Sequence, residues 1–224
     1  MTSPSLEIAV LGGTGAEGSG IALRLAKAGH RVWIGSRDAE KAAGVCTELG
    51  ALVPGAVLRP ATYRDAAAAA SVVILTVPYA AQQAVVQDVR PALSGKILVD
   101  ATVPLVPPKV ARVQLPEGDS AVAAIQQLLG DEVRVVAAFQ NVSAHHLRDL
   151  DHTPECDVLV CGNDVEARTV VIGLAKDMGL RGVPAGVIEN AAAVEALTSV
   201  LIAINKRYKV AGAGIRITGL PDDI

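Results

Sequence analysis

The strongest constraint on the fold lies in residues 6–37, where an apolar run meets a glycine-rich turn and then a helical pattern. Residues 6–11 form the run, and the turn that follows contains Gly13, Thr14, Gly15, Ala16, Glu17 and Gly18. This order predicts a strand, a tight turn and a helix. Glycine at such a turn lets backbone N–H groups approach a pyrophosphate, whose charge the helix N-terminus favours. The segment therefore predicts a dinucleotide-binding site.

A second predicted strand, residues 31–34, ends where such a site distinguishes NAD from NADP. NAD sites usually place a carboxylate there for the ribose 2′-hydroxyl, whereas the 2′-phosphate of NADP needs cations and hydroxyl donors. Ser36 and Arg37 fit NADP, and Lys41 lies one helical turn beyond Arg37. In the alternative, Asp38 binds the ribose and Arg37 is a plain surface charge. We favour NADP because Asp38 has a sufficient role as a helix N-cap.

The remaining pattern predicts an α/β fold, a doubly wound Rossmann-type parallel sheet with a small C-terminal α/β lobe. Residues 56–59, 71–77, 96–100 and 133–137 are short apolar runs separated by helical segments, which gives six strands within residues 1–150. Residues 151–224 form the lobe, with strands at 156–162 and 180–184 and helices at 165–178 and 188–210. The last helix is apolar on most sides, so we expect it to form a homodimer interface.

Loops that follow the strands should border the ligand, because parallel sheets bind ligands at the carboxyl ends of their strands. These loops contain Val77 and Gln82, then Val103, then residues 138–146 with the candidate substrate-binding residues Asn141, Val142 and Ser143. Near the C-terminus, Lys206 and Arg207 precede Gly212, Ala213 and Gly214. The cations suit an anionic ligand and the small residues suit a flat one, although a solvated helix end would show the same charges.

Composition excludes several functions. A net charge of −3 gives no basic field for nucleic acid. Three cysteines without a secretory apolar region at the N-terminus favour the cytoplasm. The apolar helical stretch at 191–204 is interrupted by Glu195 and is too short to cross a bilayer. No histidine or cysteine spacing fits a metal site, and the sequence contains no GxSxG motif, which argues against acyl transfer.

Several segments together resemble the F420-dependent NADP reductases, also called NADPH:F420 oxidoreductases. The resemblance rests mainly on Gly12 to Gly15 with Gly18, on residues 22–26 and 29–30, and on Gly35 to Arg37 with Lys41. Shorter segments that agree are residues 76–78, 103–104, 138–144, 160–162 and 214–216. The resemblance implies a direct hydride transfer between C4 of NADP(H) and C5 of the deazaflavin coenzyme F420. Such a transfer needs two cofactors held in apposition and no catalytic acid or base.

The resemblance also implies roles for individual residues. Thr14 to Glu17 would bind the pyrophosphate, and Ser36, Arg37 and Lys41 the 2′-phosphate. The nicotinamide side would contact Val77, Gln82 and Val103. Ala144, with residues 141–143, would contact both ring systems, and residues 212–214 the deazaflavin. Two alternatives remain open at this stage, namely an NADPH-dependent reductase of another acceptor such as a flavin, and a non-catalytic NADP-binding sensor.

Overall fold

The computed structural model describes residues 4–221, and its centre is a sheet of eight strands in the order β3-β2-β1-β4-β5-β6-β7-β8. The first half of the chain alternates strands and helices. These are β1 (Glu7–Leu11), α1 (Ala16–Lys27), β2 (Arg31–Gly35), α2 (Ala39–Leu52), β3 (Leu58–Ala61), α3 (Tyr63–Ala69), β4 (Val72–Leu75) and α4 (Tyr79–Val89). The chain starts at β1, winds outward to β3 and then crosses back to β4 beside β1, with every pair parallel.

The second half of the chain builds the other side of the sheet. Its elements are β5 (Ile97–Asp100), α5 (Ala121–Leu129), β6 (Arg134–Ala137), α6 (Ala144–Arg148), β7 (Asp157–Gly162), α7 (Val165–Asp177), β8 (Arg181–Pro184) and α8 (Ala191–Tyr208). β5 and β6 continue the parallel sheet, and β7 runs antiparallel to β6. The predicted doubly wound α/β fold is confirmed. Strands β7 and β8, which the sequence placed after residue 150, extend the same sheet.

The core has two apolar layers, one on each face of the sheet. Side chains alternate along β1, so that Ile8 and Val10 pack in one layer while Ala9 and Leu11 pack in the other. All four are fully buried. This explains why the strands read as continuous apolar runs, because helices cover both faces of a parallel sheet.

Two elements differ from the sequence-based expectation. The short helix α6 was not predicted, because five residues carry too little periodicity to distinguish a helix from a loop. The last helix begins with a 3₁₀ turn, and together they span Ile188–Tyr208, which by length and composition could cross a membrane. The helix agrees with the predicted 188–210, but the apolar stretch of 191–204, which the sequence analysis judged too short for a bilayer, was underestimated. Its Glu195 is nevertheless 1% exposed and bonded to the N-terminus of α5, which fixes the helix against the domain.

Candidate cofactor-binding site

The glycine turn between β1 and α1 brings bare backbone to the edge of the sheet. Gly12 has a φ of +87°, which side chains rarely tolerate. A Cβ on Gly18 would lie 2.5 Å from both the Gly12 carbonyl oxygen and the Thr76 hydroxyl, so only glycine fits there. Gly15 is the N-cap of α1 and contributes no side-chain hydrogen bond to the first turn. The N–H groups of that turn are thus available to an anion.

A cleft of about 740 Å³ opens at this turn, along the ends of β1, β4, β5 and β6. It is bordered by the glycine turn on one side and by the segment from Thr102 to Val110 on the other. Gly13 is buried beneath the turn. The predicted site residues that line the cleft are Thr14, Gly15, Ala16, Glu17, Arg37, Val77, Val103 and Val142.

At the end of the cleft next to β2, the structure separates the roles of the residues that follow this strand. Asp38 is the N-cap of α2, and its Oδ1 accepts hydrogen bonds from the N–H groups of Glu40 (3.0 Å) and Lys41 (3.1 Å). The N-cap role that the sequence assigned to Asp38 is confirmed. Ser36 is buried, and its hydroxyl oxygen accepts the Asp38 N–H at 3.1 Å. The Arg37 side chain is exposed and borders the cleft.

Tyr63, at the start of α3, is a cleft residue that the sequence analysis missed. Burial raises the pKa of its phenol, although a hydrogen bond and the charge of Arg37 act in the opposite direction. Arg37 and Tyr63 therefore form the polar rim at this end. Lys41 is exposed in the first turn of α2, outside the residues that line the cleft.

Glu17, in the first turn of α1, has an unusual environment for a carboxyl group. Its Oε1 is buried and has no hydrogen-bond partner. Burial raises the pKa of Glu17 to about 8. A carboxyl group of this kind is largely protonated at neutral pH.

At the other end of the cleft, a buried polar network connects β5 with the loop after β6. Asp100 is fully buried, and its carboxylate accepts hydrogen bonds from Gln82 Nε2 (2.6 Å) and the Thr102 N–H (2.9 Å). Burial raises the pKa of Asp100. Gln140 donates from Nε2 to the Asp100 carbonyl oxygen at 2.8 Å. Gln82, predicted to contact nicotinamide, is thus bonded to Asp100 and lines a neighbouring cavity of about 390 Å³.

Helix α8 holds the loop after β6. Asn141 donates from Nδ2 to the Val194 carbonyl (2.9 Å) and to the Thr198 hydroxyl (3.1 Å), and that hydroxyl donates to the Gln140 carbonyl (2.9 Å). Ser143 is the N-cap of α6, and Ala144 is its first residue. The loop and α8 enclose a small cavity of about 130 Å³, which shares Gln140, Val142 and Thr198 with the cleft.

The C-terminal glycines pack closely against neighbouring side chains. A Cβ on Gly212 would lie 2.5 Å from His146 Cε1, and one on Gly214 would lie 2.4 Å from the Cβ of Cys156. Close packing therefore requires glycine at both positions. With Ala213 they line a cavity of about 350 Å³. Lys206 and Arg207 are exposed at the end of α8, outside the residues that line this cavity.

Within residues 4–221, no group of three or more His, Cys, Asp or Glu side chains could hold a metal ion. The His146 and His152 rings instead lie against each other, with centroids 4.3 Å apart. Burial raises the pKa of the thiols of Cys46, Cys156 and Cys161 to about 11.

This fold and this cleft define the chain as a Rossmann-type dinucleotide-binding protein. A sequence profile described as "NADP oxidoreductase coenzyme F420-dependent" matches residues 7–104. The F420-dependent NADP reductase of Methanothermobacter marburgensis is 42% identical over 97% of this chain and 100% of its own length. That of Methanocaldococcus jannaschii is 41% identical over 96% of this chain and 99% of its own length. The chain belongs to the F420-dependent NADP reductase family.

A solved structure supports the same relationship. A candidate F420-dependent NADP reductase from Arthrobacter sp. FB24 superposes with a TM-score of 0.80 and 29% identity, covering 96% of this chain and 100% of the other.

Proposed function

We propose that the protein is an NADPH:F420 oxidoreductase, which transfers hydride reversibly between NADPH and coenzyme F420. The observation that carries this proposal is the full-length similarity to reductases of that name, combined with a cleft that begins at the glycine turn and ends at the loop after β6. When bound, the two cofactors supply the hydride chemistry. The chain supplies binding and orientation.

The residues around the cleft fit an NADP molecule. Gly13, Thr14, Gly15, Ala16 and Glu17 would hold the pyrophosphate, because the first turn of α1 has no side-chain cap and Gly18 permits close approach. Ser36, Arg37 and Lys41 would hold the 2′-phosphate, with Arg37 as the cation that borders the cleft. Val77 and Val103 would pack against nicotinamide, with Ala144 nearby, and Gln82 would act through Asp100.

The F420 site lies, we propose, on the side of the cleft formed by the loop after β6. Asn141, Val142 and Ser143 line the small cavity that adjoins the cleft, and Ala213 belongs to both this cavity and the next. Gly212 and Gly214 would contact the deazaflavin from the side of the cavity that they line with Ala213. Lys206 and Arg207, at the end of α8, would attract the anionic tail of F420.

The chain works, in this proposal, without an acid or base of its own. Asp100 and Glu195 are buried, and their carboxyl groups are committed to hydrogen bonds with the chain itself. Positioning two bound reactants can lower a barrier by about 7–11 kcal/mol, which makes apposition a sufficient task for the protein.

We also propose a cytoplasmic homodimer, in which residues 151–224 form the lobe that completes the F420 site. Helix α8 exposes Val200, Ile204 and Tyr208, which would meet a second copy. Sedimentation of the wild type and of Ile204→Glu tests the dimer, and a wild-type monomer at micromolar concentration would contradict it.

The activity is tested by the absorbance of oxidised F420 mixed with NADPH and the protein. We expect rapid bleaching with NADPH and little with NADH, and no flavin reduction when FMN replaces F420. Reduction of FMN instead would favour another acceptor. Tight NADPH binding with no bleaching of either acceptor would favour a sensor.

A further inference from the structure

Glu17 is the acidic residue that lines the cleft beside the glycine turn. It lies in the first turn of α1, next to Ala16 at the helix end where the proposed function places a pyrophosphate. Its Oε1 is buried and unpartnered. Most buried carboxyl oxygens have a hydrogen-bond partner, so this oxygen calls for a physical explanation.

An ionised Glu17 would conflict with the proposed ligand. A carboxylate and a pyrophosphate are like charges, and the exclusion of water from the cleft would strengthen their repulsion. A protonated carboxyl group has no such cost, and its O–H can donate to a phosphate oxygen. With Glu17 neutral, the pyrophosphate is the one anion at the N-terminus of α1, where the partial positive charge of the helix stabilises it.

We propose that Glu17 enters the NADP complex as a neutral carboxylic acid that donates a hydrogen bond to the pyrophosphate, so that an ionised Glu17 takes up one proton from solvent on binding. This inference rests on the proposed function. It gives Glu17 a positioning role that couples cofactor affinity to pH.

Charged groups packed around α1 do not account for the environment of Glu17. Arg148 of α6 pairs with Glu48 of α2, and Asp177 of α7 bonds His30. Arg24, two turns further along α1, donates to backbone carbonyls. Burial alone shifts the pKa of Glu17.

Other titratable groups around the cleft do not mimic the expected signal. Arg37 and Tyr79 also border the cleft. The pKa of Tyr63 is raised above that of an ordinary phenol, and burial lowers the pKa of His146 in α6. Glu17, with a pKa of about 8, is therefore the group that we expect to titrate between the lowered pKa of His146 and the raised pKa of Tyr63.

Isothermal titration calorimetry with NADP⁺ tests the proposal directly. From pH 7.5 to 9.5 we expect the wild-type Kd to rise about 25-fold, because a group with a pKa of about 8 must be protonated for NADP⁺ to bind. At pH 8, titrations in buffers of different ionisation enthalpy should give uptake of about half a proton. The dissociation constant of 2′-AMP, which lacks the pyrophosphate, should stay constant over the same range.

Two variants separate Glu17 from general effects. Glu17→Gln keeps a donor but cannot ionise, so its Kd for NADP⁺ should be almost independent of pH. Glu166→Gln is the matched control, because Glu166 occupies the same position in the first turn of α7 and is exposed. It should retain the wild-type pH profile.

Either of two results would overturn the proposal. One is a wild-type Kd for NADP⁺ that stays constant from pH 7.5 to 9.5, with no proton uptake on binding. This result can be obtained even if Glu17→Gln fails to fold. The other is an unchanged pH profile in a folded Glu17→Gln. Failure of the proposed function is distinguishable, because it would appear as absent F420 reduction while the NADP⁺ titrations still report on Glu17.

Discussion

Arg24 connects α1 to the segment that leads away from α6, and we expect its replacement to loosen that segment. The side chain is 7% exposed. Its guanidinium donates to the carbonyl oxygens of Leu147 (2.9 Å), Met178 (3.1 Å), His146 (2.8 Å), Asp149 (2.7 Å) and His152 (2.8 Å). One side chain therefore satisfies five backbone acceptors.

The expected loss follows from those five acceptors. Arg24→Met keeps most of the apolar stem but removes every donor. A hydrogen bond to a charged group contributes about 1.5–3 kcal/mol, but such contributions are not additive within one network. His146 and His152 also border a cavity, where water can replace a lost donor. We therefore expect the free energy of unfolding to fall by about 3–5 kcal/mol, a large part of the stability of a typical domain.

Urea unfolding of the wild type, Arg24→Met and Lys27→Met measures this effect. Lys27 lies on the same helix, is exposed and donates one hydrogen bond of 3.3 Å to Leu150, so its replacement should cost less than about 0.5 kcal/mol. Amide hydrogen exchange should become faster in residues 143–152 of Arg24→Met. A loss below about 1 kcal/mol, or unchanged exchange in that segment, would refute the reasoning.

Three further predictions concern the cleft and the C-terminal strands. Arg37→Ala should weaken NADPH binding by about 1.5–3 kcal/mol and leave NADH binding nearly unchanged; equal losses in calorimetry would contradict the 2′-phosphate role. Gly18→Ala should abolish NADPH binding, because the new Cβ would lie 2.5 Å from the Gly12 carbonyl oxygen; titration of the folded variant checks this. Burial raises the pKa of Asp157, but the hydrogen bonds from Arg181 and Ile217 outweigh it and leave the value below normal. The lowered pKa means that ionised Asp157 stabilises the folded state above the ordinary pKa of about 3.9, and this stabilisation is lost as the pH falls below that value. The free energy of unfolding of Asp157→Asn should therefore decrease less steeply than that of the wild type during acid titration.

Local patterns were sufficient to predict most of the sheet and the glycine turn. The buried strands read as apolar runs because both faces are covered, and the turn is visible because only glycine fits at Gly18. Asp38 was recognisable as an N-cap because a cap acts within three residues. Information of this kind lies within a few positions of the chain, where a sequence pattern can show it.

The long-range contacts that hold α6 and α8 could not be predicted in the same way. Arg24 and Leu147 are bonded across 123 positions, and Glu195 accepts from the N-terminus of α5 across 74 and 73 positions. Such pairs leave no local periodicity. The packing of Gly212 against His146 likewise depends on where the C-terminal tail lies, so no local pattern could show it.

The loop after β6 is fixed from three directions, which explains how a chain without a dedicated acid or base can support the proposed chemistry. Gln140 is bonded to Asp100 of β5, Asn141 to Val194 and Thr198 of α8, and α6 is held by Arg24 of α1. Hydride transfer depends steeply on the approach of two rings, and a loop restrained on several sides loses little further entropy when it orders them. The buried carboxyl groups of Asp100 and Glu195 are consistent with this account, because they accept hydrogen bonds from groups of the chain itself. On this view rigidity of the loop is the protein's contribution to rate, and variants that weaken its three attachments should slow hydride transfer without altering the pH dependence of NADP⁺ binding.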